Sequence, residues 1–390
     1  MKFIIMFVLL FVYSNFSKNL QIISTINTKY KDITTFDVFY NVKNVRNIAV
    51  FSYNKILNTS FLEIFNQRNK VIFSKNLGVG SVMGINTVIT RTKLFYFLNK
   101  LFILDVNDLQ LDSVDLKNND YTTLQISGDL LIMNTYKNID IYSINTFKLL
   151  NTIKRKETIP WDLPKLQQDL ITFKYLQNEL QIFDYKRNKQ IKRFNTGEKE
   201  VSLLGVKIGS MKDAITDYKI YNNFLYFVTL GGSIYKYDFG LKKNLISRKY
   251  FMGDENNAGL INNFWFTDAN LDGIEDFVGA AVDNNIYCIN GKDLSTLWQY
   301  NTGNENQDPI YLYDINADSI PEVFGVNYYD QKLFIIDGKT GKLLYDKILN
   351  DEGKWYPTSV FVDDRDNDGN IEIVCKSGLP NELIILELKR

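Results

Sequence analysis

Histidine is absent from all 390 residues. That removes every mechanism built on imidazole: Ser-His-Asp and Cys-His nucleophile systems, histidine general bases, and most zinc and redox-metal sites. Cysteine is scarce, with only Cys288 and Cys375, which excludes a small disulfide-stapled fold and leaves one bridge or two free thiols open. Both lie in strand-like runs, "NIYCIN" and "IEIVCK", where two buried thiols are the simpler reading. Long apolar runs are lacking as well. The stretch "MKFIIMFVLLFVYS" places Lys2 before an apolar run from Phe3 to about Tyr13, and Val12-x-Ser14 suits a signal-peptidase cut. About a dozen apolar residues fall short of a membrane-spanning helix, so residues 1–17 are expected to be a secretory signal and 18–390 the mature domain. An uncleaved anchor is the alternative. No cysteine closes the run, which argues against a bacterial lipoprotein anchor.

What is present is apolar material enough for a packed core: 45% hydrophobic and 14% aromatic residues. Net charge is zero, but unevenly spread. Residues 251–390 hold 25 acids and 10 bases, a balance of −15, which leaves +15 on residues 1–250. Cations should collect on the C-terminal third. The basic residues are diluted without clusters, so nucleic acid is not an expected partner.

A short phrase recurs: an apolar pair, a turn acid or amide, then a second apolar run. It appears as "FLEIFNQRNKVIF", "LFILDVNDLQLDSV", "IDIYSINTFKLLNTI", "LQIFDYKRNKQIKRF", "SIYKYDFGLKKNLISR", "NIYCINGKDLSTLW", "LFIIDGKTGKLLY" and "LIILELKR". The turn residues are Asn66, Asp105, Asn145, Asp184, Asp238, Asn290, Asp337 and Glu387, at intervals of 39, 40, 39, 54, 52, 47 and 50 residues. Each phrase reads as a hairpin, and two more strand-like runs precede it, such as "ITTFDVFY" and "NIAVFSY". Four strands per repeat of this length is a propeller blade. A closed ring has no exposed edges, unlike an open array. The last phrase lacks an outermost strand, while a spare run, "LQIISTI" at 20–26, precedes the first blade. The expected fold is therefore all-β: a single β-propeller of eight four-stranded blades, closed by the N-terminal strand completing the last. Seven blades plus an irregular segment, a β-sandwich or an open solenoid are the alternatives. In the fifth repeat, "GSMKDAITDYKI" (209–220) is expected as an insertion between the first two strands, read as drift ahead of a binding loop.

Three loops concentrate oxygen ligands. "DANLDGIED" supplies Asp268, Asn270, Asp272 and Asp276; "DINADSIPE" supplies Asp314, Asn316, Asp318 and Glu322; "DRDNDGNIE" supplies Asp364, Asp366, Asp368 and Glu372. In each, side-chain oxygens fall at positions 1, 3, 5 and 9, with the backbone carbonyl of position 7 (Ile274, Ile320 or Asn370) as a fifth ligand. Hard oxygen donors without nitrogen or sulfur select calcium, and magnesium less well. Position 6 needs φ > 0, which Gly273 and Gly369 supply and Ser319 adopts only at a cost of about 1 kcal/mol. Carboxylate count ranks the third loop first in expected affinity, then the first loop, then the second. Asp, Asn and Gly also form plain turns, but three in-register copies with several close carboxylates point to a structural cation, up to three in all.

"FTDANLDGIEDFVGA", "LYDINADSIPEVFGV" and "VDDRDNDGNIEIVCK" resemble FG-GAP/VCBS repeats, the calcium-loop blades of integrin α-subunit propellers and of many secreted bacterial proteins. "NNIYCINGKDLSTLWQY" and "QKLFIIDGKTGKLLYDK" are similar to blades of quinoprotein-like propellers. The resemblance covers about residues 260–375 for the calcium motif; the first five blades match only as generic repeats. It implies that the loops stabilise their blades and that the ring displays a face to partners.

The function expected is that of an exported, non-catalytic propeller, periplasmic or extracellular, that binds or scaffolds another protein or a surface glycan. A quinoprotein-like dehydrogenase or calcium-assisted polysaccharide-acting enzyme is the second reading. Trp298 fits the blade-docking tryptophan of quinoproteins, but inter-blade packing explains it equally, and the adjacent cysteine pair of those enzymes is missing. An envelope-assembly factor is the third. Trp161, Trp265 and Trp355 are candidates for sugar stacking, with core packing the preferred role. The sequon Asn58-Thr59-Ser60 is near chance.

Overall fold

The computed structural model describes residues 20–388 except 31, 41–44, 81–86, 91, 119, 157–161, 204–205, 230, 247–260, 282–283, 304–309, 328–331, 349–359, 377–378 and 380. The expected signal at 1–17, Trp161 and Trp355 lie outside the described residues. Among those described, the helices and strands are all strands. They form eight four-stranded antiparallel sheets and one separate hairpin, and the fold is an eight-bladed β-propeller. No helix among the described residues is long and apolar enough to cross a membrane.

The chain divides into two compact units, Thr34–Ala258 and the paired segments Met1–Ile33 and Gly259–Arg390. In the first unit, the sheet from Ile33–Tyr40, Arg46–Asn54, Thr59–Phe65 and Val71–Val79 shows why the sequence reads as it does. Its two middle strands are buried along nearly their whole length, and so are continuous apolar runs rather than alternating ones. The outer strand Val71–Val79 is mostly exposed, with Val71, Ile72 and Val79 among its exposed residues. The cores lie between neighbouring sheets: Phe51, Leu62 and Ile64 meet Leu94, Tyr96 and Leu104 of the next sheet, with Phe51 edge-on to Tyr96 at 5.5 Å.

The recurring phrases are the third and fourth strands of the first seven sheets and the third strand of the last. Their turn residues act as expected of Asx turns. Asn66 Oδ1 accepts the amides of Arg68 and Lys70, and Asp105, Asp184, Asp238, Asn290 and Asp337 each accept an amide two or three residues on. In the third sheet Ser143 Oγ performs this role, accepting the Thr146 amide in place of Asn145.

The second unit holds three sheets, including the closing one. There Leu20–Asn27 runs antiparallel to Glu382–Leu388, with Leu20 opposite Leu388 and Gln21 opposite Glu387. Glu387 is thus a strand residue with the N-terminal strand beyond it, as the missing outermost strand implied. The register slips between Ile22 and Ser24, a bulge on the outer edge.

The expectation for residues 209–220 is corrected. Glu198–Leu203 and Val206–Lys212 form the separate hairpin, which precedes the fifth sheet, and Ile215–Tyr221 is that sheet's first strand. Tyr218 decides the second half: its ring is buried and its hydroxyl is engaged by Asp162 at 2.6 Å, which fixes this stretch as an inner strand. Cys288 and Cys375 are both free and buried. Burial pushes both thiols above their ordinary value, Cys375 to about 12.

Candidate metal centre

Each acidic loop joins the first and second strands of its sheet, as read from sequence. Asp268 follows Ile261–Thr267 and Asp276 opens Asp276–Ala281; Asp314 follows Tyr311–Tyr313 and Glu322 opens Glu322–Asn327; Asp364 follows Val360–Asp363, and Glu372 is second in Ile371–Lys376. The loops curl because their side chains bind their own backbone. Asp268 accepts the amides of Asp272 and Gly273, and Asp364 those of Asp368 and Gly369. Asp314 accepts the Ser319 amide. Position 5 then accepts the amide of position 7 in all three: Asp272 from Ile274, Asp318 from Ile320, Asp368 from Asn370, at 2.8–2.9 Å.

Position 6 is left-handed throughout, at φ 82° for Gly273, 73° for Ser319 and 93° for Gly369, so Ser319 bears the strain expected of it. Two features were not read from sequence. Position 4 is also left-handed, at φ 58° for Leu271, 59° for Ala317 and 62° for Asn367. Position 2 is buried in every copy, as Ala269, Ile315 and Arg365. Its amide donates to the position-9 carboxylate: Ala269 to Asp276, Ile315 to Glu322, Arg365 to Glu372.

Position 9 separates the loops. Asp276 is fully buried and both its oxygens are taken, Oδ2 by Ala269 N at 3.0 Å and Oδ1 by Gly291 N at 2.9 Å. It ties the loop to the hairpin turn of its own sheet. Gly291 sits so close that a Cβ there would lie 1.8 Å from the Glu275 carbonyl, and Gly338 stands likewise 2.0 Å from that of Pro321. In the second loop Glu322 Oε1 accepts Asn316 Nδ2 at 2.8 Å, while Asp314 Oδ1 is buried with no hydrogen-bond partner. In the third, one carboxylate oxygen each of Asp364, Asp366 and Glu372 lies within 4.8 Å of the others. Glu372 is 3% exposed, and its Oε1 is buried with no hydrogen-bond partner.

The third loop therefore fits a hard divalent cation best: three convergent carboxylates and an orphaned oxygen. Charge alone does not set it apart. Arg365 at position 2 offsets one of its four carboxylates, and burial holds that guanidinium below its ordinary pKa against the pull of Glu372 and Asp366. Burial likewise lifts Glu372 and Glu322 to about 7, with the neighbouring aspartates adding to the rise. Asp276 is raised by burial too, against the pull of the Gly291 and Ala269 amides.

The Thr34–Ala258 unit contains a buried constellation of another kind. Arg155 and Asp162 form an ion pair at 2.7 Å with both side chains fully enclosed. Asp162 also accepts the Tyr218 hydroxyl at 2.6 Å and the Lys174 amide at 3.0 Å, while its carbonyl accepts Thr123 Oγ1 and Asn134 Nδ2. Asn134 Oδ1 in turn accepts from Arg155 Nη2. One aspartate so joins strands of three successive sheets, and sequence reading did not single it out.

Trp298 is a packing residue. Its ring is buried, its Nε1 donates to Gly338 O at 2.8 Å in the next sheet, and a Cβ on Gly341 would come within 2.8 Å of the indole. Trp265 donates to Ile310 O and packs in the same core.

No family model and no curated protein matches this chain. Solved structures share its fold. A computationally designed protein, Ika8, aligns over 94% of this chain and 99% of its own, with 14% identity and a TM-score of 0.63. BamB from Moraxella catarrhalis aligns over 94% and 99%, with 12% identity and a TM-score of 0.62. Sqt1 of Saccharomyces cerevisiae aligns over 95% and 100%, with 8% identity and a TM-score of 0.71.

Proposed function

We propose that the chain is an exported, non-catalytic β-propeller that binds or scaffolds another protein or a surface glycan, with calcium fastening its acidic blades. The observation that carries the calcium reading is the third loop, where Asp364, Asp366 and Glu372 converge and Glu372 Oε1 is buried without a partner. Asp368 and the Asn370 carbonyl complete the expected ligand set there. A bound calcium ion would supply charge neutralisation for these carboxylates. The site supports a fastener because its residues spend their remaining hydrogen bonds on the loop's own amides, between two strands of one sheet. Asp268, Asn270 and Asp272, and Asp314, Asn316 and Asp318, are the weaker copies.

The binding role rests on the fold, which is compatible with protein interaction or envelope assembly, and on the absence of histidine from the sequence. Export rests on the apolar run at Phe3–Tyr13. Calorimetric titration of the chelator-treated protein with calcium is expected to show at least one bound ion and a higher melting temperature. An unchanged melt with no heat of binding would sink the metal reading. Crosslinking in the native envelope, followed by identification of the attached protein, tests the binding role. An absorbance change on soaking with a quinone cofactor would instead favour the dehydrogenase.

A further inference from the structure

The turn between Arg46–Asn54 and Thr59–Phe65 is braced to hold one shape. Asn54 Oδ1 accepts the amides of Ile56 at 3.0 Å and Leu57 at 3.1 Å, and Thr59 Oγ1 donates to Leu57 O at 2.8 Å. Asn58 is left-handed at φ 49° and accepts the Tyr53 hydroxyl at 2.7 Å. What this bracing presents is Ile56, 85% exposed, and Leu57, 62% exposed. Val79, 67% exposed, stands beside them: it is the register partner of Thr59, and the next amide, Gly80 N, donates to Asn58 O at 3.0 Å. Scattered exposed aliphatics are ordinary, but three at one rigid tip form a patch.

Strand alternation decides what else shares this end of the Thr34–Ala258 unit. In sheets built of consecutive antiparallel strands, the turn between second and third strands lies at the same end as the connection to the next sheet. Among the described residues those segments carry Lys55, Lys100, Lys117, Lys137, Lys156 and Lys212, against the exposed acids Asp115, Asp120 and Glu198. They also carry Tyr136, 48% exposed, next to Lys137.

Aliphatic side chains on a protruding tip, an amphipathic aromatic and a rim of lysines match a lipid interface. Aliphatics enter the acyl boundary, the phenol sits at headgroup level, and lysines meet anionic headgroups. A convex tip has no walls to clamp a peptide, whereas a fluid bilayer shapes itself around it. We propose that this end of the unit docks peripherally on an anionic lipid surface, with Ile56 and Leu57 inserting and the lysines providing charge contact.

Flotation of the full chain with vesicles tests this. Vesicles of phosphatidylcholine and phosphatidylglycerol in about equal parts are expected to carry the protein, and phosphatidylcholine alone to carry far less. The double variant Ile56→Ser with Leu57→Ser should lower partitioning by more than about tenfold. Lys55→Gln should lower it about fivefold, an effect that high salt removes. Both variants change exposed side chains, and unchanged melting curves would establish that they fold. Absence of binding to anionic vesicles, or binding that the double variant leaves intact, overturns the proposal; the first outcome leaves a protein as the occupant of the tip.

Discussion

Asp162 and Glu372 are both buried carboxylates, and their surroundings differ in one respect. Asp162 has its counter-cation built into the chain: Arg155 touches it, and Tyr218 and the Lys174 amide fill the remaining acceptor positions. Glu372 receives one amide, from Arg365, and its other oxygen has no hydrogen-bond partner among two neighbouring aspartates. Burying a carboxylate is costly unless it is compensated, and these two sites meet that cost by different means. The compensation in one is covalently part of the protein. In the other the buried Arg365 offsets one of four carboxylates, and on the proposed reading a cation drawn by the −15 of residues 251–390 supplies the rest.

The largest test of this contrast is Asp162→Ala. It leaves Arg155 as a buried, uncompensated charge and cuts the tie between three sheets, so a loss of about 3–5 kcal/mol is expected. The loss should be the same in calcium and in chelator, and a calcium-dependent loss in denaturant melts would break the comparison. Asp366→Ala comes next. Saturating calcium, at about a hundredfold over the dissociation constant, stabilises by roughly 2.7 kcal/mol, and this variant should forfeit most of that while melting much like the parent in chelator. Asp318→Ala, in the loop whose Ser319 is strained and whose Glu322 is already satisfied, should forfeit less. Equal losses in thermal melts would show that the second and third loops do not differ.

The smallest effect is the response to pH. Burial raises Glu322 and Glu372 from 4.5 to about 7, so the calcium-free folded state holds protons that the unfolded state releases. Their contribution is present in full below pH 4.5 and is lost as pH rises to about 7. With calcium the slope over the same window should invert, because proton and ion compete for one carboxylate. Denaturant midpoints measured across that window, with and without calcium, check the crossing.

The blades were legible because their period is carried by local chemistry. Turn acids at Asp105 or Asp337 bind amides two or three residues away, and the middle strands are apolar because both faces are covered. The loop pattern was legible for the same reason: positions 1, 3 and 5 act within nine residues. What escaped depends on distance along the chain. Asp162 meets Tyr218 across 56 residues, and nothing near either residue announces the partner. Residues 209–220 were misassigned because two adjacent strand-like runs do not reveal which belongs to the sheet. The plug at position 2 was overlooked because Ala269, Ile315 and Arg365 share a place and not a chemistry. The turn at Asn290 was legible, but the pressure of the next residue, Gly291, on the Glu275 carbonyl was not.

The pairing of Leu20–Asn27 with Glu382–Leu388 has a consequence in time. During synthesis the first strand emerges with Ile22, Ile23 and Ile26 and no neighbour, and the strand it pairs with is made more than 350 residues later. Loop closure over that distance makes the last sheet the slowest contact to form. Until then the opening segment is a bare edge, open to holdase binding or to pairing with another nascent chain. The step that seals the ring is therefore also the step at which a truncated or stalled chain is distinguished from a finished one.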